Sequence, residues 1–288
     1  MCMTIAGWKQ QTVKLLQAGQ IGDSNDLDAR LLLEKVTGLD QVHQIMEHEK
    51  ILTEEERETL EQLRMQRLAH KPMAYILGYK EFYGRTFFVD EHTLIPRPDT
   101  EILVEEVLRF AQSRPKEALL PLIDVCTGSG AIGITLALEL GVDVELSDIS
   151  REALEIAKRN AIALTGHELL LHEADLLSTT TQKYGSIVSN PPYLTASWCD
   201  EVSAEVACEP RSALDGQGQD GLSLIRRLLE QSAMHLKEAG ALFIECDYRQ
   251  TSEVATLFKE HHFKNITIAK DLAGHERVVW GVLACTNN

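Results

Sequence analysis

The 288 residues are 44% hydrophobic and 25% charged, the balance of an ordinary globular protein with a sizeable core, in one large or two modest domains. No run of eighteen apolar residues occurs, so no membrane-spanning helix is expected, and the opening MCMTIAGWKQQ has no basic stretch before an apolar core, so no signal peptide is expected. A net charge of −16 argues against a broad nucleic-acid-binding face.

Residues 1–80 read as a small helical bundle. Leu27, Leu31, Leu32 and Val36 recur at helical spacing. Thr53 opens a capping box with Glu56, and Leu60, Leu63 and Leu68 follow it. Residues 81–100 change character: aromatic and β-branched residues around Gly84 predict a β-hairpin linker, ending in the proline pair of Pro96 and Pro98. From 101 to 288 strands and helices alternate. LPLIDV, VDVELSD, a strand near 168–172, GSIVSN, GALFIEC and VVWGVL predict strands. AIGITLALEL, SREALEIAKRNAIAL, GLSLIRRLLEQSAMHL and VATLFKEHH predict helices. Continuous apolar strands between helices indicate an α/β fold with a mostly parallel, doubly wound sheet. Ligands of such sheets bind beyond the carboxyl ends of the strands, here Asp124–Gly130, Asp148, Asp175 and Asn190.

Six cysteines, at 2, 126, 199, 208, 246 and 285, form no C-x-x-C pair, and no metal-ligand spacing occurs. Cys126 and Cys246 fall at the ends of apolar runs, which suits buried thiols in a reducing cytoplasm, and no metal is expected. His261-His262 fits a polar helix face, and Arg226-Arg227 a solvent-facing one.

Gly128, Gly130 and Gly133 spell G-x-G-x-x-G, and Asp148 follows Gly130 by 18 residues at a strand end. By itself this suits a nicotinamide dinucleotide as well as S-adenosylmethionine. Asp124 and Asp175 favour the second, because a carboxylate beside the loop repels a pyrophosphate and tolerates an ammonium and a sulfonium. The segment IVSNPPY then delivers Asn190, Pro191, Pro192 and Tyr193 to the same edge. Two prolines fix two φ angles and stiffen the turn. Asn190 Oδ1 and the Pro191 carbonyl are acceptors suited to the N–H groups of a planar nitrogen, and Tyr193 can stack on it. The acceptor left open by these residues is adenine, cytosine, guanine or glutamine.

The flanking segments narrow the choice. KPMAYILG at 71–78, IPRPDTE at 95–101, NPPY at 190–193, EPRSAL at 209–214 and DLAGHERVV at 271–279 together make the whole chain resemble the release factor glutamine methyltransferases. The resemblance implies a Rossmann-like, S-adenosylmethionine-dependent enzyme that methylates the glutamine amide in the Gly-Gly-Gln loop of class I peptide chain release factors. It implies that the N-terminal bundle helps hold that substrate. By position, Cys126, Thr127, Gly128, Ser129, Gly130 and Asp148 would hold the methionine and ribose parts of the cofactor. Asp175 or Leu176 would meet adenine, and Asn190 would also touch the cofactor. Asn190, Pro191 and Tyr193 would be catalytic, and Asn190–Tyr193 would bind the glutamine. A cytoplasmic monomer is expected. The chain departs from the family at Cys126, where a glycine is usual, at Asp99, at Cys246-Asp247, and in a 214–221 loop one residue longer. The alternatives are an amino-methyltransferase of nucleic acid and a binding module without turnover.

Overall fold

The computed structural model describes residues 3–22 and 24–284 and divides the chain into two compact units, Met1–Tyr79 with Val202–Cys208, and Lys80–Glu201 with Glu209–Asn288. Cys2 and Cys285 lie outside the described residues.

The first unit contains α1 (Ile5–Ala18), α2 (Asn25–Thr37), α3 (Gln41–Met46), α4 (Glu54–Leu68) and α5 (Met73–Leu77). The capping box forms as expected: Thr53 Oγ1 accepts from the Glu56 amide at 3.1 Å, and Glu56 Oε2 from the Thr53 amide at 2.7 Å. The core is built from Ile5, Trp8, Ala29, Leu32, Leu33, Leu60 and Ile76. Leu27 is exposed, so the buried stripe of α2 runs through Ala29, Leu32 and Leu33 rather than through the leucine the spacing picked out. Arg67 is buried and donates to Asp28 Oδ2 and Glu205 Oε1, each at 2.7 Å. This ion triad fastens 202–208 to the helices. Breaking such a buried set leaves an uncompensated charge, which costs about 3–5 kcal/mol.

A hairpin, β1 (Tyr79–Phe82) and β2 (Arg85–Phe88), starts at the last residue of the first unit's opening segment and turns at Tyr83-Gly84 with both φ values positive. That geometry matches the twist of two antiparallel strands. Then follow α6 (Glu101–Gln112), β3 (Leu122–Val125), α7 (Ala131–Leu140), β4 (Glu145–Asp148), α8 (Arg151–Thr165), β5 (Leu171–Glu173), β6 (Tyr184–Ser189) and α9 (Ala196–Asp200). After them come α10 (Ser223–His235), β7 (Leu236–Glu245), α11 (Thr251–Glu260), β8 (Phe263–Lys270) and β9 (Glu276–Leu283). The seven-stranded sheet has the order β5-β4-β3-β6-β7-β9-β8. β5, β4, β3, β6 and β7 are parallel, and β9 and β8 are antiparallel additions. The sequence hides β8, because FKNITIAK interrupts its apolar residues with Lys and Asn, as an edge strand does. β3 is flanked by β4 on one side and β6 on the other, the switch point at which such sheets bind ligands. No helix among the described residues is long and apolar enough to cross a membrane.

Candidate active site

The strands of this edge end in or next to polar residues, and hydrogen bonds to Asp124 and Asp148 hold the glycine loop beyond them. Asp124, fully buried near the end of β3, accepts at Oδ2 from Thr127 Oγ1 at 2.6 Å and from the Gly133 amide at 2.9 Å. Its carboxylate therefore closes the glycine loop on itself. Burial pushes its pKa up to about 7, and Oδ1 has no partner. Asp124 thus acts as a staple inside the loop, and the charge argument that favoured S-adenosylmethionine from the sequence rests on a group that water does not reach.

Cys126 has φ +59°, Gly128 φ +54° and Gly130 φ +81°. The first glycine of the family pattern is thus replaced by cysteine at a left-handed position. Gly128 is open: an added Cβ would meet no protein atom within 4 Å. Its amide donates to Asp148 Oδ2 at 2.8 Å, and the Ser150 amide to Asp148 Oδ1 at 2.9 Å. Asn160, fully buried on α8, donates to the Ser129 carbonyl at 2.8 Å and accepts from the Phe88 amide at 2.7 Å, tying the loop to β2.

Three cavities line this edge. The largest, about 280 Å³, is walled by Asp148, Ile149, Leu176, Pro192, Leu224 and Arg227 among others. A second, about 70 Å³, shares Cys126, Asp148 and Pro192 with it and adds Asn190. A third, about 50 Å³, is lined by Pro96, Arg97, Thr100, Thr127, Gly128, Ser129 and Asn190. Cys126 borders all three, and Asn190 stands where the second and third meet. Asp175 lines the largest cavity, but its carboxylate pairs with Arg227 at 2.5 Å. Arg226 pairs with Asp220. The expectation that the two arginines simply face solvent is corrected: Arg227 belongs to the cavity wall.

The Asn-Pro-Pro-Tyr turn is held from distant parts of the chain. The Tyr193 carbonyl accepts from Gln250 Nε2 at 2.8 Å, and the Leu194 amide donates to the Leu214 carbonyl at 2.9 Å. A Cβ on Gly216 would run into the Tyr193 Cα, and one on Gly221, at φ +71°, into the Tyr193 carbonyl oxygen. The 214–221 loop is therefore the wall behind the turn. Asn190 Nδ2 reaches Thr100 Oγ1 at 3.4 Å. Pro191 is buried. Tyr193 packs against the hydrophobic core of the sheet, where burial raises its pKa, and neither lines the three cavities.

The other departures find partners. Asp99 pairs with Arg277 at 3.2 Å, Cys246 is fully buried, and Asp247 pairs with Arg249 at 2.7 Å. Glu209 accepts from the Ile95 amide at 3.0 Å and pairs with Arg97, joining the IPRP and EPR segments. Sequence reasoning missed Thr100, Asn160, Glu209, Glu245 and Gln250 as site residues. Thr100 and Glu209 lie in segments that carry the family likeness, and Asn160 showed as an amide on the apolar stripe of α8; Gln250 carried no signal.

The donor set fits S-adenosylmethionine. Gly128 leaves backbone bare at the cleft, Asp148 offers a fixed carboxylate to a ribose diol, and Ile149, Leu176 and Leu224 give apolar walls to a base. No group of three or more His, Cys, Asp or Glu able to hold a metal occurs among the described residues.

Residues 8–78 match the family model for the PrmC N-terminal domain, and residues 100–219 that for the methyltransferase small domain. A methyltransferase structure from Pyrococcus furiosus superposes with a TM-score of 0.50 at 14% identity, over 71% of this chain and 92% of that one, a likeness of fold. Fold and cleft together define an S-adenosylmethionine-dependent methyltransferase. The release factor glutamine methyltransferase of Pasteurella multocida is 36% identical over 298 residues, covering 97% of this chain and 99% of its own. That of Streptococcus pneumoniae is 39% identical over 234 residues, covering 80% and 82%. The chain belongs to the release factor glutamine methyltransferase family.

Proposed function

We propose that the protein methylates the side-chain amide of the glutamine in the Gly-Gly-Gln loop of class I peptide chain release factors. The observation that carries this is the position of Asn190, where the second cavity, which shares Cys126, Asp148 and Pro192 with the largest, meets the smaller cavity of Pro96, Arg97 and Thr100. In this reading residues 101–288 catalyse, 81–100 link, and 1–80 help hold the substrate. Cys126–Gly130, Asp148, Asp175, Leu176 and Asn190 line the cofactor's place. The protein acts as a cytoplasmic monomer and offers no broad surface to nucleic acid, in keeping with its net charge of −16.

A carboxamide nitrogen is a poor nucleophile because its lone pair is delocalised into the carbonyl. When bound, S-adenosylmethionine supplies an electrophilic methyl group on a sulfonium. The protein's task is to hold the amide so that nitrogen gains pyramidal character. Asn190 Oδ1, at the cavity rim, accepts from one of its N–H groups, and acceptors fixed for that geometry favour the transition state over the ground state. The prolines, Gln250, Gly216 and Gly221 keep that acceptor still. Positioning does most of the work. The proton leaves after transfer, from a nitrogen that has become acidic, so no tuned base is required.

The test is transfer of labelled methyl from S-adenosylmethionine to a recombinant class I release factor. Wild-type acceptor should be labelled, and acceptor with the loop glutamine changed to alanine should not. Label in nucleic acid instead would sink the proposal in favour of a base methyltransferase.

A further inference from the structure

We infer that Glu245 is a positioning residue for Asn190: its carboxylate holds the nitrogen end of the Asn190 amide, leaving Oδ1 as the atom that accepts from the substrate. This rests on the function proposed above and deepens it.

Glu245 ends β7, which runs parallel to β6 with Ile244 opposite Ser189. The register puts it beside Asn190, one step past Ser189. It is 3% exposed, and its carboxyl faces the Thr100 hydroxyl and the Asn190 side chain. Oε2 has no hydrogen-bond partner. Asn190 Nδ2 also lies 3.4 Å from Thr100 Oγ1.

The oxygen and nitrogen ends of an asparagine amide have nearly the same shape and can exchange by rotation. Chemistry must choose between them. An ionised carboxylate only accepts, so it admits only the nitrogen end. A protonated carboxyl can donate, and so can a glutamine. Either would admit the oxygen end and turn the catalytic acceptor away from the substrate. Other groups facing Glu245 are Arg277 on β9, Asp99 from the turn before α6, Tyr193 from the turn after β6, and Cys246 and Asp247 on its own segment. Burial pushes the carboxyl up to about 7; the Thr100 hydroxyl and Arg277 favour the ionised form, and Asp99 opposes it. The carboxyl therefore changes charge inside the pH range of the experiment below.

The experiment compares methyl transfer to a release factor from about pH 5.5 to 8.5 for wild type, Glu245→Gln and Glu245→Asp, with cofactor affinity and Tm measured alongside. Wild-type kcat should rise through about pH 7, following the Glu245 carboxyl. Glu245→Gln should lose about 10- to 100-fold in kcat, with KM and cofactor affinity nearly unchanged, the fold kept (its Tm gaining on wild type as pH rises) and the rise abolished. Glu245→Asp should keep the rise. A flat wild-type profile overturns the inference. So does a Gln variant with wild-type kcat, or one that keeps the rise or loses cofactor affinity in step with turnover. Should the Gln variant fail to fold, the wild-type and Asp profiles decide, and both must show the limb. Wild-type enzyme inert toward release factor would instead remove the function proposed above, and this inference with it.

Discussion

The glycine loop and the Asn-Pro-Pro-Tyr turn sit at the ends of neighbouring strands, β3 and β6, and are made rigid in opposite ways. The loop is held mainly from within and from the next strand. Asp124 binds Thr127 and Gly133, Asp148 binds Gly128, and Gly130 donates to the Thr127 carbonyl. The turn is stiff by its prolines, but its placement depends on Thr100, Leu214, Gly216, Gly221 and Gln250, none of them nearby in sequence. A locally closed loop tolerates change elsewhere and fails by its own residues. A remotely held turn fails by residues that never touch the ligand.

The largest effects should separate the two. Asn190→Ala removes an acceptor fixed for the transition state and should lower kcat about 10²- to 10³-fold while cofactor affinity stays within a few-fold. Calorimetric titration beside the turnover assay reads both, and an equal loss of each would make Asn190 a structural residue. Next comes Gly221→Ala. The new Cβ would strike the Tyr193 carbonyl oxygen at a left-handed φ, so stability should fall by about 1–3 kcal/mol. Turnover should fall with it, although Gly221 lines none of the three cavities. Urea unfolding and kcat at a permissive temperature would show this. Wild-type turnover in a destabilised variant would mean the turn does not need that wall.

The same contrast explains what the sequence disclosed. The parallel strands, the capping box, the hairpin at Tyr83-Gly84 and the left-handed glycines are local events, each readable from a few consecutive residues. β8 escaped because an edge strand carries polar residues that blur its period. At the site, the residues that face the cleft were legible as motifs, whereas their supports were not. Glu209 and Thr100 lay inside segments that the family likeness singled out, yet nothing in spacing shows that Glu209 accepts from Ile95, or that Thr100 reaches Asn190 across 90 positions. Gln250 at the start of α11 looks like any helix-entry amide until the chain folds it against Tyr193. Long-range partners are chosen by the fold, and one sequence does not print them.

A smaller effect probes the loop's own staple. Asp124 has its folded pKa raised to about 7 from an ordinary 3.8 by burial. The sign follows from that direction. Its contribution to stability is complete below the unfolded value and is lost as pH rises through about 7, because the ionised carboxylate is disfavoured inside the protein. Asp124→Asn keeps a carbonyl oxygen for Thr127 and Gly133 without that charge. The stability difference between variant and wild type should therefore move in the variant's favour between about pH 5 and 8, by on the order of 1–3 kcal/mol. Glu245 leaves its own slope in both proteins. Unfolding free energies measured at the two ends of that range decide it, and a difference that ignores pH sinks it.

The smallest effect concerns Cys126. A side chain at φ +59° is strained, by roughly 1–2 kcal/mol for a residue with a Cβ. Glycine relieves the strain but restores backbone freedom to the unfolded chain, worth about 0.5–1 kcal/mol in the other direction. The net gain for Cys126→Gly should be about 0.5–1 kcal/mol, or a Tm rise of a few degrees at most. Cys126 borders all three cavities, so the same change also widens the cleft and should shift cofactor affinity. A turn held from afar would pass such a change on to its supports; a loop closed by Asp124 and Asp148 should absorb it, leaving kcat within about twofold. If Cys126→Gly lowers kcat by an order of magnitude while Tm rises, the thiol positions the ligand, and the loop is less self-contained than its hydrogen bonds imply.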